Sequence, residues 1–351
     1  MPALTVRTLG ECAIEDLALR PVEQRDVLVR IDASGMCHSD TSVFNGDLGG
    51  RLPVVLGHEA AGTVVEAGAD VSHVRVGDRV VLAAIPSCGA CWFCARGEPY
   101  LCERAGSIWR AAWLDGTTPV RGASGLGTFA DAIVVDERVA IPVHTDLPAE
   151  QLSLLGCAVL TGAGAVLNIA RVRVDDSVAV IGAGGIGLAA VQAARAAGAG
   201  PVVAIDPSAA ARAAALTQGA THAYASGGEV DAALTGGRGF DAVIECVGVE
   251  ATFAAAWELA RRGGEIVVVG VGPRTARNPI PLVDAVLAGR RVSGCVYGSS
   301  SVHRDIPRYV AMAEDGRLDF AAMLGCTIAL ADAPAVLRDG PTTAGRTVIV
   351  P

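Results

Sequence analysis

The chain has 351 residues, 51% of them hydrophobic and 19% charged, which is enough for two domains with separate cores. Its net charge of -9 argues against nucleic acid or an anionic membrane as the main partner, since either needs clustered basic residues. All 28 basic residues are Arg. Because the chain has no Lys, it cannot use Schiff-base chemistry, a P-loop lysine or a Ser-Lys mechanism. No apolar run reaches ~18 residues and the start is not signal-like, so we expect a soluble cytoplasmic protein.

The first 154 residues predict a β-rich domain, because short β segments such as DVLVRIDASG and GTVVEAG are separated by Gly, Pro and Asp turns. Over residues 155–295, apolar runs such as SVAVIG and EIVVVGV alternate with Ala-rich helical stretches. This alternation predicts a doubly wound parallel sheet covered on both faces. Residues 296–351 change back to helices and a short terminal strand, GRTVIV. The predicted fold class is α/β with two domains.

A turn-rich lobe over residues 86–103 carries cysteines at the spacing C-x2-C-x2-C-x7-C. The four are Cys88, Cys91, Cys94 and Cys102. Four thiolates at this spacing can close around one tetrahedral zinc ion. Disulfides are the alternative for a cysteine-rich loop, but a nucleotide motif and the absence of a signal-like start indicate a reducing compartment. The lobe is therefore expected to hold a structural zinc.

Three other potential ligands lie outside the lobe: Cys37 in GMCHSD, His58 in LGHE and Cys157 in LLGCAVLTGAG. A lone His or Cys is more often a buried core residue. Three of them beside Gly-rich turns, in a chain with a cysteine lobe and a nucleotide motif, favour a metal site. Three protein ligands and an open fourth position are typical of a catalytic zinc. The sequence thus predicts two zinc ions per chain.

The cofactor motif follows the strand SVAVIG and reads Gly182, Ala183, Gly184, Gly185, Ile186, Gly187. Between a strand and a helix, G-x-G-x-x-G is a dinucleotide fingerprint, whose glycines allow a tight turn, approach of the pyrophosphate and close helix packing. The next strand ends at Asp206, near the spacing expected for a carboxylate that binds the ribose hydroxyls. This acid would repel a 2′-phosphate and favours NAD over NADP, although Arg212 lies close enough in sequence to moderate the effect.

Further motifs match one known family. They are C-H-S-D at 37–40, G-H-E at 57–59, G-C-x-x-x-T-G at 156–162, F-D-x-V-I-E-C-V-G at 240–248 and a terminal G-R-T-V. With the lobe and the fingerprint, the chain resembles a zinc-dependent alcohol dehydrogenase of the medium-chain dehydrogenase/reductase superfamily over essentially its full length. The resemblance implies an N-terminal GroES-like catalytic domain, a Rossmann cofactor domain and a C-terminal segment that returns to the catalytic domain.

The resemblance also assigns roles around the metal. The dispersed trio would ligate the catalytic zinc, which acts as a Lewis acid toward an alcohol or carbonyl oxygen. Glu59 would lie close behind the metal, and Asp40 would orient the ring of the ligand histidine. Ser39 matches the hydroxyl that takes the alcohol proton, with a simple turn former as the alternative. The outer position of this proton relay, often a histidine, is Ser42, which is no general base near neutral pH.

Cofactor contacts are implied in the same way. His38 and Arg346 match residues that reach the cofactor phosphates, with a plain surface arginine as the alternative for Arg346. The remaining implied contacts are Thr161, Val247 and Val269.

Ala84 matches a substrate-pocket position that is commonly a bulky aromatic, so we expect a substrate larger than ethanol. Trp109 and Trp113 lie between the lobe and the next strand, either packed under a loop or at a pocket rim or subunit contact. A segment of this length is more typical of dimers in this family, and a homodimer is preferred over a tetramer.

The leading interpretation is therefore an NAD-dependent zinc dehydrogenase that acts on a medium-to-bulky alcohol or its aldehyde or ketone. A second is a zinc-containing biosynthetic reductase of an iminium or conjugated double bond that uses NAD(P)H, for which Ser42 is a hint. A nonenzymatic nucleotide-binding zinc protein is disfavoured because all three catalytic ligands are present. Asp305 and Arg308 are expected on a solvated helix face. The remaining cysteines are expected to be buried apolar residues: Cys12, Cys246, Cys295 and Cys326.

Overall fold

The computed structural model describes residues 1–49, 51–273, 275–280, 282–340 and 343–351. The chain forms two compact units. The first comprises Met1–Ala158, Ser301–Ala311 and Leu324–Pro351, and the second comprises Val159–Ser300 and Met312–Met323. The domain limits expected from the sequence, 154/155 and 295/296, differ from these. The expected C-terminal segment also differs, because residues 312–323 belong to the second unit.

The strands are β1 Pro2–Thr8, β2 Glu11–Asp16, β3 Ala18–Leu19, β4 Asp26–Gly35, β5 Val54–Val55, β6 Ala60–Ala67, β7 Arg79–Leu82, β8 Trp113–Asp115, β9 Thr118–Gly122, β10 Ala132–Asp136, β11 Ala140–Pro142, β12 Val178–Ile181, β13 Val202–Ile205, β14 His222–Tyr224, β15 Phe240–Glu245, β16 Ala260–Val268, β17 Arg291–Gly294, β18 Leu324–Ala329 and β19 Arg346–Val350. The helices are α1 His38–Asn45, α2 Trp92–Ala95, α3 Ala105–Ile108, α4 Ala149–Ser153, α5 Ala158–Gly164, α6 Gly185–Ala196, α7 Ala209–Thr217, α8 Glu250–Leu259, α9 Leu282–Ala288, α10 Val302–Glu314 and α11 Ala333–Asp339, with a π-helical turn at Ala165–Ala170.

Two sheets of short strands build the first unit. Their strand orders are β2-β1-β5-β9-β8-β3 and β11-β7-β6-β4-β19-β18, and β10 also pairs with β4. The long central strand β4 pairs antiparallel with β6, β10 and the C-terminal strand β19. Because β19 completes this sheet, the end of the chain is part of the unit formed by its beginning.

The second unit contains a parallel sheet of order β14-β13-β12-β15-β16-β17. This order reverses direction beside β12, as in a doubly wound dinucleotide-binding fold. β12 and β13 read VAVI and VVAI and are buried at every position, as expected for strands covered on both faces. The expected α/β fold class, with a β-rich domain and a Rossmann-type domain, is confirmed.

A buried pair of amide side chains holds residues 312–323 within the second unit. Gln192 on α6 donates to the carbonyl of Asp319 at 2.9 Å and accepts the Asp319 backbone N–H at 2.7 Å. Its amide also donates to Gln218 at 2.7 Å, and Gln218 in turn donates to the carbonyl of Ala322 at 2.7 Å. These contacts bridge distant parts of the sequence, so no local pattern predicts them.

One surface expectation was wrong. Asp305 on α10 is fully buried. Its carboxylate accepts the Ser301 backbone N–H at 3.0 Å and pairs with Arg304 at 2.7 Å. It stabilises the start of the helix, where a negative charge is favourable. Arg308 is exposed, as expected.

No single helix in the described part of the chain is long and apolar enough to cross a membrane. Two consecutive segments, Ala149–Gly156 and Ala158–Ala170, meet the length and composition criterion together. Most of their residues are buried inside the protein.

Candidate active site

Turns of the first unit bring the dispersed ligands together. Cys37 follows β4 as the N-cap of α1, His58 lies between β5 and β6, and Cys157 directly precedes α5. Their ligand atoms all lie within 4.8 Å of one another. Cys37 and His58 are buried, and Cys157 is half-buried. Two thiols and one imidazole form a donor set that suits zinc.

Asp40 holds this cluster in place from within α1. Its buried carboxylate accepts the backbone N–H groups of Cys37 at 2.9 Å and Gly57 at 3.0 Å. It also lies 3.1 Å from Nδ1 of His58. Because an ionised carboxylate can only accept, Nδ1 donates and Nε2 is left as the ligand nitrogen. This geometry agrees with the orienting role that the resemblance implies.

Glu59 and Arg346 form a buried ion pair beside the cluster. Glu59 is fully buried, and its Oε1 lies 3.4 Å from Nε of Arg346. Another nitrogen of the same guanidinium, Nη1, donates to the carbonyl of Met36 at 3.0 Å. Burial raises the pKa of Glu59 to about 8, against the opposing charge of Arg346. Gly35 makes room for this carboxyl, since a Cβ there would lie 2.8 Å from Oε1. Arg346 is 8% exposed, so the surface-arginine alternative is wrong.

The surroundings of the trio favour a thiolate. A hydrogen bond from the Cys157 thiol, together with the positive charges of Arg346 and His58, holds the pKa of Cys37 well below its ordinary value despite burial. Burial lowers the pKa of His58, but the Asp40 carboxylate outweighs it and leaves this pKa well above the usual range. The thiolate is the form of cysteine that binds metals.

The three candidates on α1 other than Asp40 differ in exposure. Ser39 is half-buried, and its Oγ lies 3.8 Å from Sγ of Cys37. His38 is exposed at the start of α1, and Ser42 is half-buried further along the same helix. The structure therefore brings Ser39 next to a predicted ligand.

One glycine that the sequence did not single out for packing shapes the backbone beside His58. Gly57, just before His58, has φ +93°, and a Cβ there would lie 2.5 Å from the ring of Phe129. Its carbonyl accepts the backbone N–H groups of Gly127 and Thr128. Only glycine combines this backbone angle with so close a neighbour. The sequence signal that could have indicated this packing role was a glycine directly before a candidate ligand.

The cysteine lobe forms a second compact cluster. The ligand atoms of Cys88, Cys91, Cys94 and Cys102 all lie within 4.8 Å of one another. The backbone N–H groups of Cys88 and Cys91 point at the sulfurs of Cys102 and Cys88, both at 3.3 Å. Backbone N–H groups, that of Cys94 first, lower the pKa of Cys91 to about 6. All the cysteines of the chain are free thiols, so the disulfide alternative is not what the structure contains.

The glycine fingerprint joins β12 to α6. Gly182 has φ +90°, and a Cβ at Gly187 would overlap the carbonyl oxygen of Gly182. Gly184 caps α6 and has open space where its side chain would be. Gly185 and Ile186 begin the helix, whose N-terminal N–H groups are free to face an anion. The turn therefore fits the pyrophosphate of a dinucleotide.

Asp206 directly follows β13 and is tied to the fingerprint. Its carboxylate accepts the backbone N–H of Ala183 at 2.8 Å and that of Ser208 at 2.8 Å. Arg212 does not contact this carboxylate: its guanidinium donates to the backbone carbonyls of Asp206 and Pro207 at 2.8 and 2.9 Å. We expected Arg212 to moderate the repulsion of a 2′-phosphate by Asp206. Its guanidinium is instead bonded to the backbone.

The remaining cofactor candidates belong to the second unit. Val247 is 43% exposed, and its side chain lies against Gly182. Val269 and Thr161 are buried. The cysteines expected to be buried, Cys246 and Cys295 among them, are only half-buried, as are Cys12 and Cys326.

Two of the three residues predicted to line a substrate pocket, Ala84 and Trp109, are in direct contact. Trp109 donates its indole N–H to the carbonyl of Ala84 at 2.9 Å, and its ring covers Gly125. Ala84 is buried, and Trp113 on β8 is fully buried. Of the two alternatives left open for Trp113, its full burial favours local packing, because its ring lies beside Gly127 inside the first unit.

Comparison with known families agrees with this geometry. Residues 23–145 match the family model of the alcohol dehydrogenase GroES-like domain. Residues 185–315 match the model of the zinc-binding dehydrogenase family. Together these segments contain two of the three dispersed ligands, the cysteine lobe and most of the cofactor residues.

Individual relatives match nearly the whole chain. An S-(hydroxymethyl)glutathione dehydrogenase of Synechocystis is 37% identical over 91% of this chain and 90% of its own. An NDMA-dependent alcohol dehydrogenase of Amycolatopsis methanolica is 36% identical over 87% of this chain and 86% of its own.

Solved structures are similar as well. An alcohol dehydrogenase zinc-binding domain protein from Burkholderia ambifaria has a TM-score of 0.92, 32% identity and coverage of 100% of this chain and 98% of that one. Benzyl alcohol dehydrogenase from Acinetobacter calcoaceticus has a TM-score of 0.90, 28% identity and coverage of 99% and 98%. The chain therefore belongs to the zinc-dependent alcohol dehydrogenases of the medium-chain dehydrogenase/reductase superfamily.

Proposed function

We propose that this oxidoreductase transfers a hydride between NAD(H) and a medium-to-bulky alcohol or the corresponding aldehyde or ketone. One observation carries the proposal: Cys37, His58 and Cys157 converge within 4.8 Å, with Asp40 bonded to the ring of the histidine. Among the residues that the structure describes, three protein donors meet there, which is what a catalytic zinc site needs if a substrate oxygen is to enter.

The donor sets support two zinc ions of different kinds. The trio of two thiols and an imidazole suits a catalytic ion, and the four thiols of Cys88, Cys91, Cys94 and Cys102 suit a closed structural ion. When bound at the trio, zinc would lower the pKa of an alcohol or polarise a carbonyl.

The chain's own residues would do the rest at this site. Asp40 fixes the tautomer of His58 and raises the basicity of its free nitrogen. Ser39 would take the proton of the alcohol on its Oγ, and no imidazole follows at Ser42 to pass it on, so the proton would leave through solvent. Glu59 directly follows His58 in the chain and would approach the ligands during exchange, with Arg346 beside its carboxyl group.

For the cofactor, we propose NAD over NADP. Open space at Gly184, the clash that any Cβ at Gly187 would cause, and the start of α6 support a dinucleotide on this turn. Asp206 is held beside the fingerprint by the backbone N–H of Ala183, and its carboxylate would bind the ribose hydroxyls. The bound nicotinamide would accept or supply the hydride. His38, at the exposed start of α1, and Arg346 stay candidates for phosphate contacts.

The substrate preference rests on Ala84. Its methyl group leaves more room than an aromatic ring would, which supports an alcohol larger than ethanol. The alternative, reduction of an iminium or conjugated double bond, is supported only by Ser42, because such a reduction does not need a relay for the alcohol proton.

The experiment combines a metal count with turnover. Purified enzyme is assayed for zinc and screened by NADH fluorescence over aliphatic, benzylic and terpenoid alcohols and carbonyls, then with NADPH. Cys37→Ser is compared with Cys12→Ser, a half-buried cysteine outside both clusters. We expect two zinc ions and turnover for the wild type and Cys12→Ser, and loss of one zinc and of turnover for Cys37→Ser.

Two results would contradict the proposal. A wild-type count of one or zero zinc ions would contradict the assignment of two zinc sites to the chain. Reduction without alcohol turnover, with activity that survives Ser39→Ala, favours the double-bond reductase.

We also propose a cytoplasmic homodimer. Supporting it are the exposed α9, where Leu282, Val283, Val286 and Leu287 are 64–83% exposed, and the neighbouring edge strand β17. An apolar face and an unpaired strand edge favour association with an equal surface. Light scattering after gel filtration should give twice the 35.5 kDa chain mass, and Leu282→Asp with Val286→Asp should shift it to the monomer. A wild-type monomer or tetramer would contradict the dimer.

A further inference from the structure

A buried carboxylate at the end of β15 is used by none of the roles above. Glu245 is fully buried. One oxygen, Oε1, accepts the backbone N–H groups of both Val247 and Gly248, each at 2.8 Å. The other oxygen makes no hydrogen bond within the described part of the chain.

This arrangement is a poor way to stabilise a core. A buried carboxylate with one oxygen unpaired lowers stability, and an apolar residue of similar size at such a site is often neutral or stabilising. The two N–H groups it binds are therefore the more informative feature. They fix the turn that follows the strand.

The turn held by Glu245 reaches two parts of the cofactor site. Val247, its central residue, places its side chain against Gly182, the first glycine of the fingerprint. The carbonyl of Glu245 accepts the backbone N–H groups of Val269 and Gly270 at 2.8 and 3.0 Å. Side chain and main chain of one residue thus hold both loops that carry the candidates Val247 and Val269.

The two loops touch through their backbones. A Cβ at Gly270 would overlap the backbone N of Gly248, which itself has φ +86°. At these glycines the two loops touch backbone to backbone, and the carboxylate of Glu245 bonds two N–H groups of the first loop. A shift of the turn at 246–248 would move Val247 away from the fingerprint.

We infer that Glu245 is a positioning residue for the cofactor site: its carboxylate fixes the turn that sets Val247 against the glycine fingerprint. The inference rests on the proposed dinucleotide function. It predicts that Glu245 determines cofactor affinity more than it determines stability.

The test measures the dissociation constant of NADH by fluorescence titration and the melting temperature of each variant. Glu245→Leu removes both hydrogen bonds and should weaken NADH binding about tenfold or more, with KM for the cofactor rising more than kcat falls. Glu245→Gln keeps an oxygen that can accept both N–H groups and should stay within about threefold of the wild type.

Glu265 provides the matched control. It is a carboxylate on the adjacent strand β16, only 7% exposed, and it pairs with Arg291 at 2.7 Å and with Ser293, away from the fingerprint. Glu265→Leu should change the melting temperature and leave NADH affinity unchanged. Equal losses of affinity in Glu265→Leu and Glu245→Leu would overturn the inference, as would unchanged affinity in Glu245→Leu.

If Glu245→Leu does not fold, Glu245→Asp decides. Aspartate keeps the charge but is one methylene too short to reach both N–H groups, so NADH affinity should fall as for Leu; unchanged affinity overturns the inference. Failure of the wild type to bind NADH or NADPH would instead refute the proposed function itself. Normal wild-type binding with an insensitive Glu245 would refute only the positioning role.

Discussion

Asp40 and Asp206 are two buried or half-buried carboxylates that organise turns in the same way. Each accepts two backbone N–H groups, Asp40 those of Cys37 and Gly57 and Asp206 those of Ala183 and Ser208. In both cases this leaves the carboxylate rigid while it faces a second partner. For Asp40 that partner is the ring of His58, and for Asp206 we expect the cofactor ribose.

Asp40→Asn should weaken catalytic zinc binding. The amide is neutral and no longer forces Nδ1 of His58 to donate, so the ligand nitrogen is less basic and less well oriented. Changes at such partners typically lower metal affinity about 10- to 100-fold. Competition with a chromogenic chelator measures it. Asp32→Asn is the control: Asp32 lies on the same strand–helix segment but pairs with Arg30 and Thr63, so this variant should retain wild-type zinc affinity. Wild-type zinc affinity in Asp40→Asn would contradict the role of Asp40.

Asp206→Ala should change the cofactor preference. Removing the carboxylate would end the repulsion of a 2′-phosphate and the ribose bonds that we propose for it, so the ratio of kcat/KM for NAD over NADP should fall about tenfold or more. Ser208→Ala is the control, because its side chain caps α7 by accepting the backbone N–H of Ala211 and lies in the same loop. If the control lowers the ratio as much, the loop and not the charge sets the preference.

Short elements built around turns are what the sequence predicts best here. The cysteines from Cys88 to Cys102 lie within one short lobe, and the glycines from Gly182 to Gly187 join one strand to one helix, so both patterns are local in sequence. Local sequence predicts a side chain's environment less well when its partners are distant in the chain. The burial of Asp305 was mispredicted because a polar helical stretch gives no sign that one carboxylate turns inward to the helix start. The amide pair of Gln192 and Gln218 was missed for the same reason.

Gln192→Leu should loosen the segment 312–323. The substitution leaves the side-chain oxygen of Gln218 and the backbone N–H and carbonyl of Asp319 without their partners, at an expected loss of about 2 kcal/mol in the free energy of unfolding. Chemical denaturation followed by circular dichroism measures it. Gln24→Leu, at an exposed position, should change stability by less than about 0.5 kcal/mol. Equal stabilities for the two variants would show that the buried amides contribute nothing.

At the scale of the whole molecule, the chain separates its two chemistries. Both candidate metal clusters lie in the first unit, and the glycine fingerprint with Asp206 lies in the second. The sequence predicted this division from the change in strand pattern near residue 155. It could not predict that the chain crosses between the units again within α10, since the helix Val302–Glu314 continues across that point without a break in its pattern.

This division predicts where each ligand protects the backbone from hydrogen exchange. A ligand that binds only the native state stabilises the elements that hold it. Chelation of zinc should therefore raise exchange in β4, α1 and the cysteine lobe, whereas NADH should lower exchange at β12, the start of α6 and the turn after β15. Mass spectrometry of deuterated peptides resolves both sets. Cys12→Ser with NADH serves as the control and should match the wild type. If chelation raised exchange chiefly within residues 159–300, the metal clusters would not be what stabilises the first unit, and the assignment of both ions to that unit would be wrong.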